Sequence, residues 1–212
     1  MDETFEHRPL LDRETLRTLQ QRQDLPSLIR LTLQLGAFLL CAGLVVRVAA
    51  YPVVAVCCSI LLAAIWASLF APFHECTHQT AFRWRGLNTL GAWLSGIPFG
   101  MAPAVYRAFH FAHHRYTHDP KRDPELGGIP DQLAFWPTTV GGWAFLMSGM
   151  WLLRLKATVL VKFSILPTAQ WAQMAPWAAP EQRSRLAWET RVVALVWAVL
   201  VVTAFMGMSG AG

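Results

Sequence analysis

Three stretches of this chain carry no charged side chain for long enough to cross a lipid bilayer: residues 31–46, 48–73 and 192–212. A spanning helix needs about 20 mostly apolar residues. The first stretch falls short of that, but Arg30 and Arg47 flank it, and their long side chains can snorkel and extend the span. The second follows at once, with Pro52 near its start, so the two read as a tight helical hairpin. Only 15% of residues are charged and 54% are apolar, whereas soluble domains carry about 25% charge. Ten Trp and twelve Phe against three Tyr fit extensive lipid contact. The expected fold class is all-α: an integral membrane protein with three spanning helices.

Two further apolar windows, residues 86–106 and 132–153, are interrupted by Gly and Pro, among them Gly91, Gly96, Pro98, Gly100 and Pro103 in the first. Charge separates crossing from re-entering. Arg and Lys concentrate in cytosolic loops. Five fall in residues 1–30, six in 74–125 and six in 154–191, and only Arg47 remains. If the three unbroken stretches alone cross, those basic segments share the cytosolic side and the C-terminus lies outside. The broken windows then read as interfacial or re-entrant segments that wall a site, since non-helical backbone at membrane depth must be covered by protein or line a cavity. The setting expected is a bacterial inner membrane with the site facing the cytosol.

Residues 1–27 form the expected cytosolic N-terminal segment, and residues 28–212 the membrane domain. Within the first, Leu10, Leu11, Leu16 and Leu19 alternate with charged and polar residues behind Asp12, a candidate N-cap. That pattern predicts an amphipathic surface helix. The segment is too polar for a signal peptide. The net charge of +5 is spread between apolar stretches with no dense basic run, which excludes nucleic acid and favours an anionic lipid surface. Cys41, Cys57 and Cys58 lie inside apolar stretches and Cys76 inside a histidine motif, so they make no disulfide framework.

Six of the seven histidines fall between positions 74 and 118. His74-Glu75-Cys76-Thr77-His78 sets two imidazoles one helical turn apart, on one face. His110-Phe111-Ala112-His113-His114 offers three more, and His118 follows at the next i+4 step. Neutral imidazole suits Zn, Cu, Fe or Ni, so ligand type alone does not choose the metal. The first group matches H-E-x-x-H, the zinc protease helix with Glu75 as general base. That reading leaves the second group unused. Haem ligation fits less well than a compact polyhistidine site, and a dinuclear centre uses every ligand. Glu75 projects about 100° from His74 on a helix, which suits a supporting contact rather than ligation. Asp119 and Asp123 are candidates for holding imidazole N–H groups, and Trp84, Trp93, Phe109 and Phe111 for lining an acyl groove.

H-E-C-T-H after a helical hairpin, followed by F-H-F-A-H-H-R-Y-T-H-D-P-K-R-D-P-E-L, resembles the membrane fatty acid desaturase and hydroxylase superfamily. The resemblance implies that His74 and His78 belong to a first histidine box and His110, His113 and His114 to a second, all five as metal ligands around two non-haem Fe ions. The run from Asp119 to Glu125 resembles the tail of box two in bacterial members. No histidine follows His118, so the resemblance also implies a C-terminal truncation that removes a third box and leaves a fragment expected not to turn over alone.

The function implied is that of an O2-dependent oxidoreductase acting on unactivated C–H bonds of a lipid acyl chain, most simply a fatty acid desaturase. Hydroxylation or ketolation of a carotenoid, an alkane or a rhizopine-like ring is the alternative within the superfamily, and the membrane zinc metalloprotease the alternative outside it. The expected partners are the lipid acyl substrate, O2 and an external electron donor of ferredoxin, rubredoxin or cytochrome type, because the sequence holds no Fe–S, flavin or haem motif of its own.

Overall fold

The computed structural model describes residues 11–126, 137–147 and 150–209, and every regular element among them is helical. Helix α1 (Arg13–Leu19) starts where Asp12 Oδ1 accepts the backbone N–H groups of Glu14 and Thr15, both at 2.9 Å. Leu11, Leu16 and Leu19 are exposed along it. A helix with the Asp12 cap in place thus forms where the leucine pattern predicts one; Leu10 lies outside the described residues.

Helix α2 (Asp24–Arg47) and α3 (Pro52–Ser68) form the hairpin, with Pro52 in the first turn, where its missing N–H costs nothing. Cys41 Sγ donates to the Cys58 carbonyl at 3.6 Å, and Gln34 Nε2 to the Ser68 carbonyl at 3.0 Å. Through Leu69, α3 runs on into α4 (Phe70–His78), and the pair makes one apolar rod over Pro52–His78. At 1.5 Å per residue the rod is about 40 Å long, more than the ~30 Å hydrocarbon core. With α2 and α10 (Arg183–Ser209) it makes three helices long and apolar enough to cross. Leu40, Ile60 and Phe205 project from them, each about two-thirds exposed or more, as a lipid-facing surface requires.

Between the second and third spans, α5 (Arg85–Gly96) and α6 (Pro103–Tyr116) form a helical hairpin too short to cross. Its tip, a turn of 3-10 helix at Ile97–Phe99, is wedged between two spans. Trp66 Nε1–H on α3 donates to the Pro98 carbonyl at 3.1 Å, and Trp197 Nε1–H on α10 to the Ile97 carbonyl at 2.8 Å. Twelve residues separate Trp66 from His78 and fourteen separate Trp197 from Arg183, so the tip reaches roughly 20 Å below the helix ends. Carbonyls that water would otherwise have to solvate are satisfied by two indoles. The window 86–106 is therefore re-entrant.

Two glycines make this hairpin possible. A Cβ on Gly96 would stand 2.8 Å from the Met101 carbonyl and 2.6 Å from the Phe73 ring, and Gly100 turns the chain at φ +64°. In the second broken window, residues 132–136 and 148–149 lie outside the described residues. What is described is α7 (Val140–Met147) and α8 (Met150–Ile165). Helix α8 packs along α10, where Arg191 Nε donates to the Ser164 carbonyl at 3.1 Å. A short α9 (Trp171–Met174) closes the corner, with Trp171 and Leu186 in a second core cluster.

Candidate metal centre

Helix α4 presents His74 and His78 on one face, and α6 crosses it with His110 and His114. Several contacts fix the crossing. The Arg107 guanidinium donates to the Thr77 carbonyl and lies over the Phe111 ring, 4.4 Å from its centroid. Phe73 packs on Tyr106 at 4.6 Å, and Tyr106 stacks on His110 with centroids 5.1 Å apart and planes 12° apart. On the other side, the first backbone N–H groups of α6 have no intrahelical acceptor. Glu189 of α10, 2% exposed, accepts the Ala104 N–H at 2.7 Å and pairs with Arg185 Nε at 2.7 Å.

The outcome is a quartet. One ring nitrogen from each of His74, His78, His110 and His114 lies within 4.8 Å of the others. The Nε2 atoms of His78 and His110 are 2.9 Å apart, those of His110 and His114 3.0 Å, and those of His78 and His114 3.3 Å. Each Nε2 is either an N–H or a lone pair, so three in a closed triangle cannot all be matched as donor to acceptor. A cation resolves this. With a metal–imidazole bond of about 2.1 Å, neighbouring ligand nitrogens sit ~3.0 Å apart at a right angle and ~3.4 Å apart at the tetrahedral angle. The observed separations match that range, so the residues fit a metal ion. Burial, reinforced by the neighbouring imidazoles, pushes His110 down to about 4, which keeps it the neutral ligand a metal requires.

Outside the quartet, His74 Nδ1 meets Glu75 Oε1 at 3.1 Å, and the second Glu75 oxygen accepts the Thr80 hydroxyl at 2.7 Å. Glu75 thus orients the His74 ring through Nδ1, the supporting contact its helical position predicts. This speaks against the general-base role of the protease reading. Helix α4 ends at Gln79, φ 63°, where Thr80 N–H returns to the Glu75 carbonyl at 3.0 Å.

His113 is not brought into the quartet. Its Nδ1 faces Asp123 Oδ1 at 2.9 Å and Glu125 Oε2 at 3.4 Å, and its ring is 5.8 Å from His114. Asp123, 2% exposed, also accepts backbone N–H groups of His118 and Glu125. Burial alone would raise this carboxyl, but the hydrogen bonds, that to His113 foremost, hold it below the usual range. Asp123 therefore holds an imidazole, as its position suggested. Asp119 does not: it pairs with Arg122 Nε at 2.6 Å and caps the loop. His118 lies exposed at φ 66°, away from the cluster.

Of the four aromatics expected at a groove, Phe109 and Phe111 line cavities beside α6, Trp93 packs on Trp188 and Trp84 is exposed. Sequence reading passed over Tyr106, Arg107 and Glu189, which carry no motif. It also missed Asn88, whose buried amide bonds the Phe82 N–H and carbonyl and so fixes the turn after the first box. An Asn inside an otherwise apolar helical face was the available signal.

No curated protein and no solved structure matches the chain. A family model described as Fatty acid desaturase matches residues 49–212, which takes in both histidine boxes, the re-entrant hairpin and the third span. The chain belongs to the fatty acid desaturase family.

Proposed function

We propose that this protein is an O2-dependent diiron oxidoreductase that attacks unactivated C–H bonds of a lipid acyl chain, with desaturation as its reaction. The observation that carries the reading is the quartet built from two histidine boxes of a desaturase-family chain, backed on its buried side by Tyr106. Bound iron supplies the one-electron chemistry with O2 that no amino-acid side chain offers. The chain supplies the rest. His74, His78, His110 and His114 hold one ion, and His113, its Nδ1 engaged by Asp123, offers Nε2 to a second. Glu75 and Asp123 fix the ring orientations of His74 and His113. Phe70, Phe73 and Tyr106 form an aromatic wall that keeps water from the apolar side.

Beyond that wall, an apolar groove of about 420 Å³ between α6, α8 and α10, lined by Val105, Tyr106 and Phe109, accommodates an acyl chain. Electrons come from a separate ferredoxin, rubredoxin or cytochrome-type donor, which the basic residues on the metal face suit if the donor is acidic. The same basic residues support an orientation with that face in the cytosol, in what this reading takes to be a bacterial inner membrane. The test is expression with iron and an electron-donor system, followed by metal analysis and mass spectrometry of the host lipids. Iron at the site and O2-dependent double bonds are expected. Stoichiometric zinc with no lipid product would overturn the reading, and hydroxylated product would reassign the reaction.

A further inference from the structure

Lys156 brings a positive charge into an apolar setting. It projects from α8 to where the Phe99 ring centroid is 5.2 Å and Met101 Sδ 4.0 Å from Nζ. Among the described residues no carboxylate pairs with it. Its neighbours belong to the tip of the re-entrant hairpin, which Trp66 and Trp197 hold well below the helix ends. An ionisable side chain at such depth is costly and is retained where it has something to bind.

Two apolar cavities meet at this ammonium. One, of about 420 Å³, runs from Phe99 to Tyr106, whose ring lies on His110. The other, of about 490 Å³, runs between α8 and α10 past Ala194, Trp197 and Val201 toward the lipid-facing surface. They share Phe99, Gly100, Lys156 and Leu160, and among the described residues Lys156 is the one charged side chain lining either. A path continuous with lipid thus leads past a lone cation to the ring beside the quartet. A hydrocarbon gains nothing from that cation and leaves it desolvated and unpaired. An amphiphile with one anionic end neutralises it and fills the apolar walls with its tail.

We propose that Lys156 anchors the carboxylate of an acyl-chain substrate, so that the unesterified acid is the form the groove receives. This rests on the function proposed above and narrows its substrate class. Lys156 then acts as a specificity-determining residue: with the carboxylate fixed beside Phe99, the reacting carbon is set by its count from the carboxyl end. Phe99, Phe70 and His74 follow one another at centroid separations of 6.0 and 6.4 Å, so two ring contacts join the Phe99 ring beside the anchor to His74.

The experiment uses the full chain, metal-free, in lipid nanodiscs. Binding of a fluorescent conjugated polyenoic acid is compared with that of the alcohol and the hydrocarbon of equal chain length. The acid is expected to bind at least about tenfold more tightly than the alcohol, the range of a hydrogen bond between charged groups. Lys156→Met should bring the acid down to the level of the alcohol and leave the alcohol unchanged. Lys156→Arg should retain most of the preference. Metal uptake by Lys156→Met reports that the quartet still forms, and if that variant does not fold, the acid-to-alcohol contrast in the native chain and in Lys156→Arg decides. Equal binding of acid and alcohol, or Lys156→Met holding the acid as tightly as the native chain, would overturn the proposal. A chain that selects the acid yet makes no O2-dependent product overturns the proposed function alone.

Discussion

An imidazole has two nitrogens, and the histidines of this protein differ in what engages the second. His74 and His113 give Nδ1 to the carboxylates of Glu75 and Asp123, whereas buried His110 has no partner for Nδ1 among the described residues. Removing a carboxylate that orients a ligand costs typically 10- to 100-fold in metal affinity. On the two-ion reading proposed above, Asp123→Asn should weaken the ion assigned to His113 and leave that of the quartet in place, so that metal titration of the variant separates two affinities. His78→Ala should instead empty the quartet, because His78 Nε2 is within reach of both His110 and His114. His110 also sets a pH dependence. It protonates near 4 when folded and near 6.5 when unfolded. Its contribution to the stability of the metal-free protein is present above pH 6.5 and declines as pH falls from there toward 4. Thermal melts of metal-free protein in detergent should show the midpoint dropping across that window, and His110→Gln should flatten the decline. The four imidazoles of the quartet were legible because i, i+4 spacing projects onto one helical face, whereas the i+3 residue His113 turns to Asp123 instead. Tyr106 and Glu189 were not, since their roles arise only when α6 meets α4 and α10.

Helix α6 carries half of the quartet, so its placement matters more than its propensity. Its N-terminus starts at Pro103 beneath the re-entrant tip, away from bulk water, and Glu189 accepts a backbone N–H there from 85 residues away. A buried donor left without an acceptor costs about 1–3 kcal/mol. Glu189→Ala is expected to destabilise the protein by roughly that amount and to loosen metal binding as α6 shifts. Glu189→Gln retains an acceptor and should recover most of the stability; equal losses from both substitutions would show that pairing with Arg185, rather than the cap, is what matters. The spans were readable because charge-free length is a strong local signal. The re-entrant character of 86–106 was readable from its Gly and Pro breaks, but the two tryptophans that satisfy its tip were not. Either Trp could equally have been an interfacial anchor, and only the insertion of residues 97–98 within reach of both assigns them. The expectation that residues 154–191 sit wholly on the basic face also gave way in part: Lys156, Ala157 and Leu160 line the cavity alongside Ala194, Trp197 and Ala198 of the third span. Arg154, Lys156 and Lys162 broke the charge-free window there, although a long basic side chain can accompany an apolar helix below the surface.

At the level of the whole molecule, the arrangement requires one face of the membrane to gather nearly everything that does chemistry. The α2–α3 hairpin returns the chain to the side where it began: Asp24 Oδ1 accepts the Arg83 N–H at 2.6 Å, and Arg22 donates to the Gln79 carbonyl at 2.7 Å. The start of α2 and the end of α4 therefore meet beside the first histidine box. Helix α10 starts on that face too, because Trp197 reaches the same tip as Trp66 from a similar distance along its helix. In the sequence, seventeen of the eighteen basic residues fall in segments 1–30, 74–125 and 154–191, of which Lys156 reaches down to the re-entrant tip, and Arg47, beside the turn at the opposite end, is the exception. Basic residues in short loops set orientation, so this face should be the cytosolic one. With the native cysteines replaced, a cysteine at Gln182, exposed just before α10, should resist a membrane-impermeant maleimide in intact cells and react once the cells are opened. One at Ala50, in the turn between α2 and α3, should react in intact cells. The reverse pattern would invert the orientation without disturbing the fold, and the electron donor would then have to be sought outside the cytosol. Labelling of both positions in intact cells is the more damaging outcome. It would mean that the start of α10 and the α2–α3 turn share a side, which the observed antiparallel packing and the common reach of Trp66 and Trp197 do not allow in a chain with three crossings.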